Sequence, residues 1–133
     1  MNSIQLFTAA TATTAAPSAA TDGVSTAALH PYGGSALLLL KSTAGSDTMT
    51  ITTRLWGYSS VAAAWFPLGV GADGTKGTLN AGSATGETGA NEIRHSERVV
   101  GIAGFERLAL QITAIGGTNT AVSAWAVREE LGA

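Results

Sequence analysis

Apolar and polar residues alternate with a period of two along several short stretches of the chain. Between Thr48 and Trp56, Met49, Ile51, Thr53 and Leu55 fall on one face, and Thr50, Thr52, Arg54 and Trp56 on the other. A half-buried strand gives this pattern because successive side chains leave opposite faces of its pleat. The β-branched Ile51 and its threonine neighbours favour that conformation. Leu108, Leu110 and Ile112 likewise face away from Ala109, Gln111 and Thr113. The loop Gly116-Gly117-Thr118-Asn119 then returns the chain through Ala121 to Arg128, where Trp125 and Val127 alternate with smaller residues.

Other segments fit the same class. The run Ser35-Ala36-Leu37-Leu38-Leu39-Leu40 has the length of a strand buried on both faces, and it ends in a turn cluster from Lys41 to Asp47. Ala63 to Val70 reads as an edge or bulged strand, since Pro67 has no ladder donor. Val24 to Leu29 is a weak strand closed by His30-Pro31-Tyr32-Gly33-Gly34, and Glu92 to Gly101 is a further ordered stretch. Gly69 to Asn91 holds seven glycines and reads as a long excursion with at most a short strand at Lys76 to Asn80. Ser3 to Thr8 alternates briefly before the low-complexity stretch Thr11 to Ala20, which Pro17 interrupts. No helical period extends beyond two turns. The expected fold is all-β, an antiparallel β-sandwich or small barrel, jelly-roll-like, with residues 1–22 as an extended N-terminal arm and 23–133 as a single β domain.

Composition changes this picture in one respect. Only 12% of the 133 residues are charged, whereas globular domains average about 25%. Twenty-five residues are alanine, so the core is thin and the exterior is coated by threonine, serine, glycine and alanine. Such a surface costs little to desolvate, and a chain with few charges tends to associate. The exterior is therefore expected to contact other chains; the plainer alternative is a threonine-coated protein that is simply soluble. The formal charge of −2 excludes an electrostatic nucleic-acid binder. The absence of cysteine removes thiolate metal sites and cysteine nucleophiles. The first 40 residues contain no Lys or Arg, and the longest apolar run is far too short for a bilayer, so neither a secretory signal nor a membrane partner is expected.

Catalytic signatures are thin. Gly69, Gly71 and Gly74, with Glu92 further on, spell a dinucleotide fingerprint, but the residues after Gly74 cannot start the helix that would hold a pyrophosphate. A phosphate loop fails because Thr75 separates Gly74 from Lys76. His30 and His95 lack a partner at metal-ligand spacing. Asp22, Asp47 and Asp73 sit in turn contexts, while Glu87, Glu92, Glu97 and Glu106 offer carboxylates for an acid/base pair, but their neighbours Arg94, Arg98 and Arg107 point to ion pairing instead. The reading is of a protein that is not an enzyme, with no catalytic, cofactor-binding or metal residues and no cofactor.

Aromatic residues carry more. Trp56, Tyr58, Trp65 and Phe66 flank the turn Ser59-Ser60-Val61, so a hairpin brings them together as cross-strand neighbours. They form either a core plug at one end of the sandwich or an exposed patch for a partner. Arg54 and Arg107, set among apolar neighbours, are expected to pair with a glutamate or reach across a subunit boundary.

Four segments together resemble small virion structural proteins of tailed bacteriophages, in particular capsid decoration or cement proteins. They are Arg54-Leu55-Trp56-Gly57-Tyr58, Trp65-Phe66-Pro67-Leu68-Gly69, the stretch from Glu97 to Leu108, and Gly116-Gly117-Thr118-Asn119-Thr120. The resemblance implies a homo-oligomer, with a trimer favoured, on the head surface of a virion, where it braces the major capsid protein. Ile4, Leu6 and Phe7 of the arm would then add a strand or fill a groove on the shell. Together with Trp56, Tyr58, Trp65 and Phe66 they make the expected interface. Two other readings stand beside it: a tail or baseplate component, and a carbohydrate-binding adhesive module that uses Trp56, Tyr58 and Trp65 as a sugar platform.

Overall fold

The structure is a computed structural model that describes residues 2–29, 35–43, 49–68, 78–84, 92–100, 102–116 and 121–128. Its strands are β1 (Ser3–Ala10), β2 (Val24–Ser25), β3 (Ser35–Thr43), β4 (Met49–Ser59), β5 (Ala64–Pro67), β6 (Thr78–Ala84), β7 (Glu92–Val100), β8 (Arg107–Gly116) and β9 (Ala121–Arg128). Short 3₁₀ turns occupy Ala27–Leu29 and Ile102–Gly104.

The strands form two antiparallel sheets. One has the order β1-β9-β3-β7; the other runs β2-β8-β4-β5, with β6 also paired to β4. Residues Trp56 to Ser59 of β4 pair with β5, and Met49 to Arg54 pair with β6, so two short strands share one edge. The chain changes sheet between β1 and β2, β2 and β3, and β3 and β4, then again at β7, β8 and β9. This is the double Greek-key order of a jelly roll. Of the two architectures expected, the sandwich is found, and the sheets do not close into a barrel.

Alternation places the core between the sheets. Ala36, Leu38 and Leu40 of β3 and Val122, Ala124 and Ala126 of β9 point inward from one sheet. Ile51 and Leu55 of β4 and Leu108, Leu110 and Ile112 of β8 meet them from the other. Leu29, Leu68 and Ile102 fill the ends. The core is thin because alanines stand at three of the six buried apolar sites on β3 and β9.

Several segments differ from the sequence reading: the weak strand expected at Val24 to Leu29 is two residues long and followed by a 3₁₀ turn, and β3 runs on through Lys41 to Thr43, where a turn is expected. The run at Ser35 to Leu40 buries one face only in this chain: Leu38 and Leu40 are 1% and 3% exposed, whereas Leu37 and Leu39 are half-buried on the outer face. The glycine-rich excursion contains a longer strand than expected, Thr78–Ala84, because β5 leaves the first half of the β4 edge open for it. The N-terminal segment is extended, and it lies along the body of the fold. Ser3 to Ala10 pair with β9 through two register shifts, and Ala9 adopts a left-handed φ of 48°.

Segment 11–23 then runs along the free edge of β8. Thr14 donates its amide to the Ile112 carbonyl (3.0 Å), and its hydroxyl accepts the Ile112 amide (2.9 Å). The chain next turns at Ala19 to Asp22 and enters β2, which pairs with β8 at Leu108 and Arg107.

Candidate interaction surface

On β4 the residues Arg54, Trp56 and Tyr58 alternate with buried Thr53, Leu55 and Gly57, so all three face outward. The β4–β5 hairpin adds Trp65 opposite Tyr58 and Pro67 opposite Trp56, and β8 adds Arg107, Ala109 and Gln111 on the other side. The expected cluster therefore divides. Trp56, Tyr58 and Trp65 share the outer face. Phe66 stands opposite Gly57 and packs at 6.2 Å on Phe105, which covers Gly57. Phe66 is 42% exposed, so this pair closes the end of the sandwich only partly.

Hydrogen bonds hold the outer aromatics. The Trp56 indole donates to Gln111 Oε1 (3.0 Å), and the Arg54 guanidinium lies 5.0 Å above its ring. Trp65 stacks on Tyr58 with centroids 5.3 Å apart, tilted by 54°, and donates its Nε1–H to the Ala19 carbonyl (3.0 Å). Trp65 thus clamps the turn of segment 11–23 onto the sheet. Gly23, at φ 70°, passes so close to the Leu108 carbonyl that a Cβ would collide there, and that Cβ would also stand 3.0 Å from the Trp65 ring.

Arg107 departs from its expected role. Its guanidinium binds backbone carbonyls: Nε donates to the Asp22 carbonyl (2.6 Å), and one terminal nitrogen donates to those of Thr21 (3.1 Å) and Gly23 (2.8 Å). Asp22 completes the turn by accepting the amides of Ser18 and Ala19, both at 2.9 Å. These two amides hold its carboxyl below the usual aspartate value, and Arg107 adds to the effect. Glu106 turns instead to Ser60, whose hydroxyl and amide together keep the Glu106 carboxyl below its usual value.

Two of the expected arm residues pack inward on the fold. Ile4 is buried in the core and Leu6 is packed against it. Phe7 stands opposite Ala124, and its side chain lies outside the described atoms. Leu6 also lines a cleft of about 540 Å³ beneath segment 11–23, together with Pro17, Asp22, Val24, Leu108 and Leu110. His30, Asp47, Asp73, Glu87 and the glycines at 69, 71 and 74 lie outside the described residues. His95, Glu92 and Glu97 are placed by the backbone of β7 alone.

Sequence reasoning missed Gln111, Ser60 and Thr14. Each acts across a sequence separation of 46 or more residues: the pairing of β4 with β8 brings Gln111 to Trp56 and Glu106 to Ser60, and the course of segment 11–23 along β8 brings Thr14 to Ile112. The fold and this surface define a jelly-roll sandwich with an aromatic outer sheet face. No protein-family model matches the chain, nor does any curated protein or solved structure.

Proposed function

We propose that the chain is a non-enzymatic structural protein of a bacteriophage virion, a decoration or cement protein that binds the capsid surface and stabilises the shell. Its partners in this reading are the major capsid protein and further copies of itself, with a trimer favoured by the resemblance. The supporting observation is where the charges of the β2-β8-β4-β5 sheet go. Arg107 is engaged by three backbone carbonyls, Glu106 by Ser60 and Asp22 by Ser18 and Ala19, while Arg54 lies over Trp56. Each of these charges already has a contact within the chain, so a partner that covers the face leaves none of them without one.

The role follows physically. A protein that binds assembled shells and not dissociated subunits shifts the equilibrium toward assembly, and many identical sites turn weak contacts into strong ones. The jelly-roll order itself does not choose among roles, since capsid, lectin and cupin domains share it. The test mixes the purified chain with phage shells that lack a decoration protein. Co-sedimentation, with shells that resist heating better, supports the reading; a chain left wholly in the supernatant overturns it.

One observation favours a second reading. Trp56, Tyr58 and Trp65 share one outer face, as a sugar platform requires. A shift in tryptophan fluorescence on titration with glycans, abolished by Trp56→Ala, would favour the carbohydrate-binding module over the shell protein.

A further inference from the structure

Segment 11–23 meets the edge of β8 at two anchors. Thr14 bonds Ile112 through its amide and its hydroxyl, and Val24 of β2 pairs with Leu108. Between them residues 15–23 arch over a stretch that only Ala109 to Gln111 span on β8. The Trp65 indole and the Arg107 guanidinium hold the far half of the arch by the carbonyls of Ala19, Thr21, Asp22 and Gly23. The space beneath it is the cleft of about 540 Å³.

The arch leaves one residue of the edge unpaired. The Glu106 carbonyl accepts the Thr26 amide and the Ile112 carbonyl accepts the Thr14 amide, so alternate residues of β8, from Glu106 to Ile112, aim their backbone groups at this edge. Leu110 belongs to that set. Leu55 stands opposite it on β4 and turns its own carbonyl the other way, to the Leu68 amide. The Leu110 N–H and C=O therefore point into the cleft, and no backbone group among the described residues bonds them there. Leu110 is 5% exposed, and a backbone pair at that depth needs a partner.

We propose that the cleft binds an extended, uncharged peptide segment, one residue of which forms a β-bridge with Leu110. The N–H and C=O on either side of one α-carbon match the Leu110 pair, whereas those of a single amide point in opposite directions. A residue directly opposite Leu110 sends its side chain to the same face, toward Leu6, Val24 and Leu108, so that side chain is apolar. Asp22 is the one ionisable side chain of the lining, and its carboxylate already accepts the Ser18 and Ala19 amides. A charge on the ligand has no counterpart there. In strand addition of this kind, main-chain bonds supply affinity and the side-chain pocket supplies selectivity. The site goes beyond the shell reading, and neither depends on the other.

The experiment titrates the full chain with the blocked tripeptide acetyl-Ala-Leu-Ala-amide at millimolar concentrations and follows the backbone amides by NMR. The Leu110 amide proton is expected to move downfield, and its exchange to slow about tenfold more than that of Ile112, which is already bonded. The same peptide methylated on the leucine nitrogen cannot donate to the Leu110 carbonyl, and its affinity is expected to fall about tenfold. Ala16→Trp sets a large ring at an exposed position of the lining and is expected to abolish the response while circular dichroism stays unchanged. Should that variant fail to fold, the methylated peptide decides alone. A Leu110 amide that ignores the peptide overturns the proposal, as does an equal response to the methylated peptide or a response that folded Ala16→Trp leaves intact.

Discussion

Glu106 grips Ser60 with both carboxylate oxygens: Oε2 accepts the Ser60 amide at 2.9 Å and Oε1 accepts its hydroxyl at 2.7 Å. The Glu106 amide in turn donates to the Tyr58 carbonyl at 3.0 Å. The turn of the β4–β5 hairpin is thereby pinned to the residue preceding β8, although its tip is exposed enough to leave Val61 95% accessible. The Ser59 hydroxyl accepts the Ala62 amide, and Ala63 closes the loop with a left-handed φ of 52°.

This pair makes stability fall in acid. Both Ser60 groups favour the charged carboxylate, so Glu106 titrates below its usual 4.5 in the folded chain. A group with a depressed folded value is protonated more readily when unfolded. Its contribution is complete above pH 4.5 and is lost as the pH drops through the lower folded value. Asp22, lowered from 3.8 by the Ser18 and Ala19 amides, acts in the same direction at lower pH. Thermal melts of wild type and Glu106→Gln between pH 7 and pH 3 check this. The expected result is a smaller loss of Tm on acidification in the variant; identical slopes would show that the pair contributes nothing.

Arg107 makes a second prediction. One guanidinium satisfies the carbonyls of Thr21, Asp22 and Gly23, and the fixed fork of donors is what allows this. Lysine keeps the charge but cannot reach three acceptors in that geometry. Arg107→Lys is expected to loosen segment 11–23, with faster limited proteolysis between residues 11 and 22 and faster amide exchange there, while the Ile51 and Leu38 amides stay protected. Unchanged cleavage in that segment would show that Trp65 and Thr14 hold it without help from Arg107.

Much of this was legible in the sequence wherever alternation carried it. Ile51 and Leu55, and Leu108, Leu110 and Ile112, were assigned to one side by period alone, and all five are buried. Pro67 announced an edge strand, and β5 is one. What stayed illegible depends on pairing between distant segments. The strand at Thr78–Ala84 shows in the sequence only as a short stretch at Lys76 to Asn80, because it has too few large apolar residues to mark a period and its length is set by pairing along the β4 edge. Arg107 looked like one half of an ion pair because the carbonyls of a low-complexity segment carry no signal in residue type. The leucine run told that β3 is apolar on two sides, yet not which leucines face the core.

Gly57 offers a packing test. A Cβ there would stand 2.6 Å from Cγ of Phe105, inside any real contact distance. The ring covers Gly57 at the core end and stacks on Phe66, so it has little room to retreat. Gly57→Ala is expected to cost about 1–3 kcal/mol, the range for overpacking a filled site. Gly104→Ala, where a Cβ meets nothing within 4 Å, serves as the neutral control. Combining Gly57→Ala with Phe105→Leu should recover part of the loss, and strictly additive losses in chemical denaturation would show that the ring is not the obstacle.

The leucines of β3 separate the inside of the sandwich from its outside. Leu38 is 1% exposed between the sheets, so Leu38→Ala removes buried methyl groups and leaves a cavity, with an expected cost of about 2–5 kcal/mol. Leu39, its neighbour on the outer face, is half-buried against Trp125 and leaves no enclosed void when truncated. Leu39→Ala should cost about 1 kcal/mol or less. Urea melts of both variants read this directly. Equal losses would mean that the outer leucine is packed as tightly as the inner one.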